Sequence, residues 1–232
     1  MNFLKNSNRL RYIFYTLKGR NFFLKKLKIS KKWIGNLYGG FYIHPNNLDS
    51  DSIIYSIGIG TDVSFDLHLI NLFNCNVFAF DPTPKSVSWV QKNIKSNKFI
   101  FSDYGISSVK GSKTFYLPKN SEFVSGSLFQ IKSVDVNKSI NLNFETLSSV
   151  MKKNNHKKID ILKMDVEGSE YDIIDYLTKK NIIINQILVE FHPHLTKNGK
   201  KKTARSINLL KEKGYKCFGI SNSMLEYSFI KE

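Results

Sequence analysis

Four ionisable side chains toward the far end of the chain stand at spacings that could do chemistry. Asp165 and Glu167 lie in Leu162-Lys163-Met164-Asp165-Val166-Glu167-Gly168-Ser169-Glu170. Glu190 and His192 lie in Val189-Glu190-Phe191-His192-Pro193-His194. Each segment reads as an apolar strand delivering polar groups to its carboxyl end, which is where open α/β sheets bind ligands. Strand side chains alternate, so Glu190 and His192 share a side. Asp165 and Glu167 could orient an amino group or take a proton from an acceptor hydroxyl. His192 is the candidate general base, because an unperturbed imidazole titrates near neutrality. Asp165, Glu190 and His192 could also hold a divalent metal, but the site as assigned from sequence includes no metal ligand. Glu167 and Glu170 could instead have a structural capping role, and Ser169 could cap the following helix.

A second group of residues has the look of a nucleoside site. In Ile54-Tyr55-Ser56-Ile57-Gly58-Ile59-Gly60-Thr61-Asp62 a strand meets a glycine turn and then a helix. Glycines let the backbone turn tightly and approach a ligand, and the helix start offers free N–H groups. Asp81, in Phe80-Asp81-Pro82-Thr83-Pro84, lies 21 residues beyond Gly60. A carboxylate there can accept both hydrogen bonds of a ribose diol, while Pro82 and Pro84 end the strand and start a helix. In Ser102-Asp103-Tyr104-Gly105-Ile106, a polar residue could meet an adenine edge and Tyr104 could cover its face. A dinucleotide such as NAD and S-adenosylmethionine both satisfy these motifs.

The elements that must position these residues alternate. Strands are expected at Ile53–Ile57, Asn76–Phe80, Phe99–Ser102, Lys113–Leu117, Ile159–Met164 and Ile183–Phe191. Helices are expected at Asp62–Phe73, Pro84–Lys95, Phe144–Lys153, Ser169–Leu177 and Ala204–Lys213. Tyr215–Ile220 and Leu225–Ile230 would close the chain as an antiparallel pair. Such alternation implies a parallel sheet covered on both faces.

Charge is unevenly placed. The net charge is +16, and residues 1–32 hold ten Lys or Arg and no Asp or Glu, which leaves 16 − 10 = +6 for the rest. Leu10, Ile13, Phe14 and Leu17 follow helical spacing, and Phe22, Phe23, Leu24 and Leu27 follow Gly19. This basic amphipathic segment could pack on the domain, grip an acidic acceptor, or rest on an anionic inner membrane surface. Cys75 and Cys217 form no metal-binding pattern and read as reduced, buried thiols of a cytoplasmic protein. No stretch approaches a membrane span, and no signal peptide is read. The expected organisation is a basic segment over residues 1–38 and one domain over 39–232.

Taken together, IYSIGIGTDVSFDLHLI, FAFDPTP, SDYGIS, SGSL, LKMDVEGSEYDII and ILVEFHPHL resemble the FkbM-like methyltransferases, from about Gly39 to Gly219. The resemblance implies a class I methyltransferase fold, Rossmann-like. Its mostly parallel seven-stranded sheet would end in an antiparallel hairpin, with helices on both faces. It also implies S-adenosyl-L-methionine as methyl donor and O-methylation of a hydroxyl on a saccharide or related small molecule. By position, Gly58, Gly60 and Asp62 would border the methionine part, with Asp81 and Pro82 at the ribose. Asp103 and Tyr104 would lie near adenine. Asp165, Glu167, Glu190 and His192 would face the transfer site, with Asp165 also near the donor. Asp62 stands where a third glycine is usual, and an aspartate fits a donor ammonium better than a pyrophosphate. Base N-methylation of nucleic acid usually presents an Asn/Asp-Pro-Pro-aromatic loop, and Asp165-Val166-Glu167-Gly168 departs from it. Nucleic acid is therefore not the expected partner. The alternatives are a nucleic-acid methyltransferase, an NAD-binding Rossmann enzyme, or a membrane-surface module that has lost its chemistry.

Overall fold

A short antiparallel ribbon leads into the main sheet. The computed structural model describes residues 24–120, 126–131 and 133–232. In it β1 (Lys32–Ile34) pairs with β2 (Phe41–Ile43). Ile34, Phe41 and Ile43 are buried in the core. The boundary expected at residue 38 thus falls inside a folded ribbon, because Ile34 has already entered the core.

The chain then builds βα units: β3 (Ile53–Ile57), α1 (Ser64–Phe73), β4 (Asn76–Phe80), α2 (Pro84–Asn93) and β5 (Phe99–Ser102). Next come β6 (Gly105–Ile106), β7 (Gly111–Pro118), β8 (Val134–Glu145) and α3 (Leu147–Lys153). The chain ends with β9 (Ile159–Met164), α4 (Glu170–Lys179), β10 (Ile184–Glu190), α5 (Gly199–Glu212), β11 (Tyr215–Ile220) and β12 (Glu226–Lys231). The main sheet has seven strands in the order β11-β12-β10-β9-β3-β4-β5. Strands β10, β9, β3, β4 and β5 run parallel, and β12 pairs antiparallel with both β10 and β11. This is the expected fold: α/β, mostly parallel, with a C-terminal antiparallel segment.

The central strands read as unbroken apolar runs because both faces are covered. Tyr55, Leu162 and Val189 pack into one core layer, while their neighbours Ile54, Ile161 and Leu188 pack into the other. Each such fully buried large side chain stabilises the fold by about 1.5–3 kcal/mol. From β3 the chain winds outward to β5, then crosses back to β9 on the other side of β3. The β3–β9 junction is thus the switch point where open α/β sheets form a crevice.

Two elements differ from expectation. Val134–Glu145 forms a long strand, so Phe144 ends β8 rather than starting a helix. The helix begins after Thr146, whose side chain accepts the Ser149 N–H while Ser149 Oγ accepts the Thr146 N–H, a reciprocal cap. Together β6, β7 and β8 form a small separate sheet. Ser169 makes no side-chain cap to α4. The helical stripe Leu10–Leu17 lies outside the described residues. Farther on, Leu24 is buried and the Leu27 N–H donates to the Cys217 carbonyl, so this stretch packs on the domain. Among the described residues no helix is long and apolar enough to cross a membrane.

Candidate active site

Loops at the carboxyl ends of β3, β4, β9 and β10 enclose a cavity of about 500 Å³. Its waist is the glycine turn. Gly58 has φ +72°, and a Cβ there would come within 1.7 Å of the Asp165 carbonyl oxygen. The β3 and β9 loops can approach this closely only because Gly58 has no side chain. Beneath the turn, Lys163 donates its ammonium to the Gly58 carbonyl. Lys163 is buried in a strand that is otherwise mostly apolar. The motif around Asp165 contains Lys163 without implying a role for it. A lysine inside a run such as Ile159–Met164 was the available signal, since a buried charge needs a partner.

Asp81 faces the cavity, but its carboxylate is already engaged. One oxygen accepts the N–H groups of Ile59 (3.1 Å) and Gly60 (2.9 Å). The other accepts the N–H (2.9 Å) and hydroxyl (2.6 Å) of Thr83. A carboxylate has about four acceptor sites, so Asp81 fixes the glycine turn and uses the Ile59 and Gly60 N–H groups. Pro82 lines the cavity beside it.

Gly60 and Asp62 also line the cavity. The Asp62 carboxylate accepts the Ser64 N–H at 2.9 Å and the Asn36 amide at 2.7 Å. Burial opposes its charge, but these bonds and the nearby Lys163 ammonium hold the carboxyl below its ordinary range. Asp103 and Tyr104, expected near adenine, are not among the residues that line the cavity. Asp103 is exposed. Tyr104 packs against Phe80 and lies under the Lys153 ammonium instead. Gly105 and Ile106, with Phe144 from β8, form the wall at that end.

The other end gathers Asp165, Glu167, Glu190 and His192, as the strand register predicts. His192 has a side chain only 5% exposed. Its Nε2 stands 3.5 Å from Glu190, 3.6 Å from Asp165 and 3.7 Å from Glu167. Glu170, fully buried behind it, accepts the backbone N–H of both Gly168 and His192 at 2.8 Å. That bridge ties the β9 loop to the β10 loop. Glu167 holds a left-handed φ of +47°, and its carbonyl accepts the Ser127 hydroxyl at 3.1 Å. A non-glycine residue there costs about 1–3 kcal/mol, which these two loop anchors offset.

Electrostatics change the role expected of His192. Burial works against its charge, but Glu170, Asp165 and Glu167 outweigh this and raise its pKa to about 10. It therefore stands as an imidazolium near neutral pH, not as the free base that its ordinary pKa suggested. Burial and the neighbouring Asp165 charge push the Glu190 carboxyl well up, and His192 opposes part of that rise. Glu226 completes this wall, its carboxylate held by the Ser221 and Ser223 hydroxyls.

A family model described as the methyltransferase FkbM domain matches residues 37–217. No curated protein matches by sequence. Among solved structures, methyltransferase FkbM from Methylobacillus flagellatus KT aligns with TM-score 0.50 and 10% identity over 85% of this chain and 48% of that one. The present chain thus spans about half the length of that protein, and the likeness is one of fold. A Methanococcus jannaschii fibrillarin pre-rRNA processing protein aligns with TM-score 0.44 and 12% identity over 91% and 87% of the two chains. Precorrin-6y C5,15-methyltransferase from Geobacter metallireducens GS-15 aligns with TM-score 0.40 and 14% identity over 80% and 84%.

Proposed function

This chain belongs to the methyltransferase FkbM domain family, and from that premise we propose an S-adenosylmethionine-dependent O-methyltransferase acting on a hydroxyl of a saccharide or related small molecule. One observation carries the reading. The cavity wall holds six acidic side chains, Asp62, Asp81, Asp165, Glu167, Glu190 and Glu226, against one lysine and one histidine. A sulfonium and an ammonium fit such a wall, whereas the pyrophosphate of a dinucleotide would be repelled. The volume suits a nucleoside-sized ligand, and the apolar Ile59, Phe80 and Ile106 offer cover for its uncharged parts.

Gly58, Gly60 and Asp62 would hold the methionine part, and Asp81 and Pro82 would shape the ribose end through the fixed turn. When bound, the donor supplies a methyl group for in-line transfer to an oxygen nucleophile. The chain's task is to place an acceptor hydroxyl beside Asp165, Glu190 and His192. A carboxylate of that cluster takes the hydroxyl proton, and His192 keeps the cluster's negative charges in one place. Saccharide hydroxyls are hydrogen-bond donors, which a wall of carboxylates can satisfy. Leu37 and Tyr38, largely exposed at the mouth, offer an apolar and an aromatic face for a sugar ring. The same acidic wall disfavours a nucleic-acid backbone.

Isothermal titration of the full chain with S-adenosylmethionine and, separately, NAD tests the donor. Heat of binding from the first alone is expected, and binding of NAD alone would overturn the reading. Asp81→Ala should weaken donor binding by freeing the turn, while His192→Ala should slow turnover and spare donor affinity. Equal loss of donor affinity in both variants would sink this division of roles.

A further inference from the structure

The acceptor end of the cavity has a feature that methyl transfer alone does not require. The His192 ring is more than nine-tenths buried, and its Nδ1 faces the Glu170 carboxylate at 3.6 Å, beyond hydrogen-bond distance. Its Nε2 points into three carboxylates at 3.5–3.7 Å. A formed N–H···O bond to a carboxylate lies near 2.7–2.9 Å, so the ring approaches all three and bonds to none. A buried imidazole that only held its own orientation would close at least one such bond.

We propose that Asp165, Glu190 and His192 form a divalent transition-metal site. One ligand atom from each, all within 4.8 Å of one another, surrounds a common point. Around a cation with ligands about 2.1 Å away, neighbouring ligand atoms stand about 3 Å apart and opposite ones about 4.2 Å. Closing the present gaps takes side-chain shifts of several tenths of an ångström toward the centre. The backbone around them stays in place: β9 and β10 are paired up to Met164 and Val189, and Glu170 fixes the His192 N–H. An imidazole with two carboxylates suits Mn²⁺ and its neighbours better than Mg²⁺ or Ca²⁺, which prefer oxygen alone. The charge also fits. Glu167 faces the same point and Glu170 backs the ring, so a dication, displacing the proton on the His192 Nε2, would be held among four carboxylates. Three protein ligands leave coordination positions open toward the cavity, where an acceptor hydroxyl would bind and become easier to deprotonate. The site stands on the His192 wall and does not depend on the identity of the methyl donor.

The test is direct binding of Mn²⁺. The chelator-treated chain is titrated with MnCl₂, and free Mn²⁺ is followed by electron paramagnetic resonance, with no methyl donor present. One ion per chain is expected. Glu190→Gln and His192→Ala should each weaken binding at least about tenfold, whereas Asp103→Asn, at an exposed position outside the cavity, should bind as the parent does. Circular dichroism melts of all variants establish that each is folded. Absence of bound Mn²⁺ in the folded parent would overturn the proposal, as would binding that Glu190→Gln and His192→Ala leave unchanged. Donor titration by calorimetry in excess chelator is a separate measurement, so either reading can fail alone.

Discussion

Replacing Asp66 by Asn should stabilise the protein at alkaline pH and do much less in acid. Asp66 sits in the first turn of α1, is 1% exposed, and one of its carboxylate oxygens has no hydrogen-bond partner. Burial raises its pKa from 3.8 to about 6, even though the Lys163 ammonium offsets part of that rise. The folded state therefore holds the proton more tightly than the unfolded chain. Below the unfolded pKa both states are protonated and nothing is lost. As pH climbs toward the folded pKa the unfolded chain ionises first, and stability falls. Above the folded value the whole penalty is present, roughly two pH units at 1.36 kcal/mol each, or about 3 kcal/mol. Asparagine has nearly the same shape and cannot ionise. The variant should thus gain about 1.5 kcal/mol over the parent near pH 5 and about 3 kcal/mol near pH 8. Urea unfolding followed by tryptophan fluorescence at both pH values gives the difference directly. Groups that titrate alike in both proteins cancel from it. An equal gain at both pH values would refute the linkage argument, and a loss at pH 8 would mean that Lys163 requires the Asp66 charge.

Two further outcomes follow from the loops. Gly58→Ala combines a left-handed backbone, costing about 1–2 kcal/mol, with a Cβ 1.7 Å from the Asp165 carbonyl oxygen. It should lower the melting temperature and abolish donor binding by calorimetry, and parent-like affinity would show that the close approach is dispensable. Glu170→Gln leaves one acceptor oxygen where two buried N–H groups now bond. It should cost about 1–3 kcal/mol in urea unfolding and slow turnover by loosening His192 and Gly168.

The parts of the fold that were legible in the sequence are those where burial on both faces forces a continuous apolar run. Strands β3, β4, β5 and β9 fall where Ile, Val, Phe and Leu cluster between Gly, Pro and Asp. By contrast β8 carries Asn, Lys and Ser between its apolar residues, with Val134 and Phe144 buried and most of the residues between them exposed or half-exposed. Its period-two alternation was visible, but the apolar signal was diluted and Phe144 was assigned to the helix. The site shows the same division. Glycines at a strand end announce a turn, and parity announced that Glu190 and His192 share a side. Which nearby backbone N–H groups would occupy the Asp81 carboxylate depends on how β3 and β4 sit together, and the dipeptide Phe80-Asp81 does not carry that information. Tyr104 likewise turned toward Phe80 because a packing partner was there, a contact 24 residues distant in sequence order.

Phe80 ends β4 and Tyr104 follows β5, so the β4–β5 pairing brings the two rings to 5.8 Å. The same dependence on tertiary pairing separates the acids in and behind the cavity wall into two kinds. Asp81 accepts four hydrogen bonds and Glu170 accepts two from backbone N–H groups. These carboxylates are spent on holding loops, so their charge is stabilised in place and little remains for a ligand. Asp165 and Glu190 instead stand at 3.5–3.6 Å from an imidazole that bonds to neither. Groups left this close and this incompletely paired in a cavity wall lower the free energy of any ligand that supplies the missing partner, whether a cation or a hydroxyl. Residue type and spacing located both kinds of acid, but only the use made of their lone pairs tells the scaffold from the working end. On that criterion the chemistry belongs to the β9 and β10 edge, and the glycine turn with Asp81 is the frame against which the donor is held.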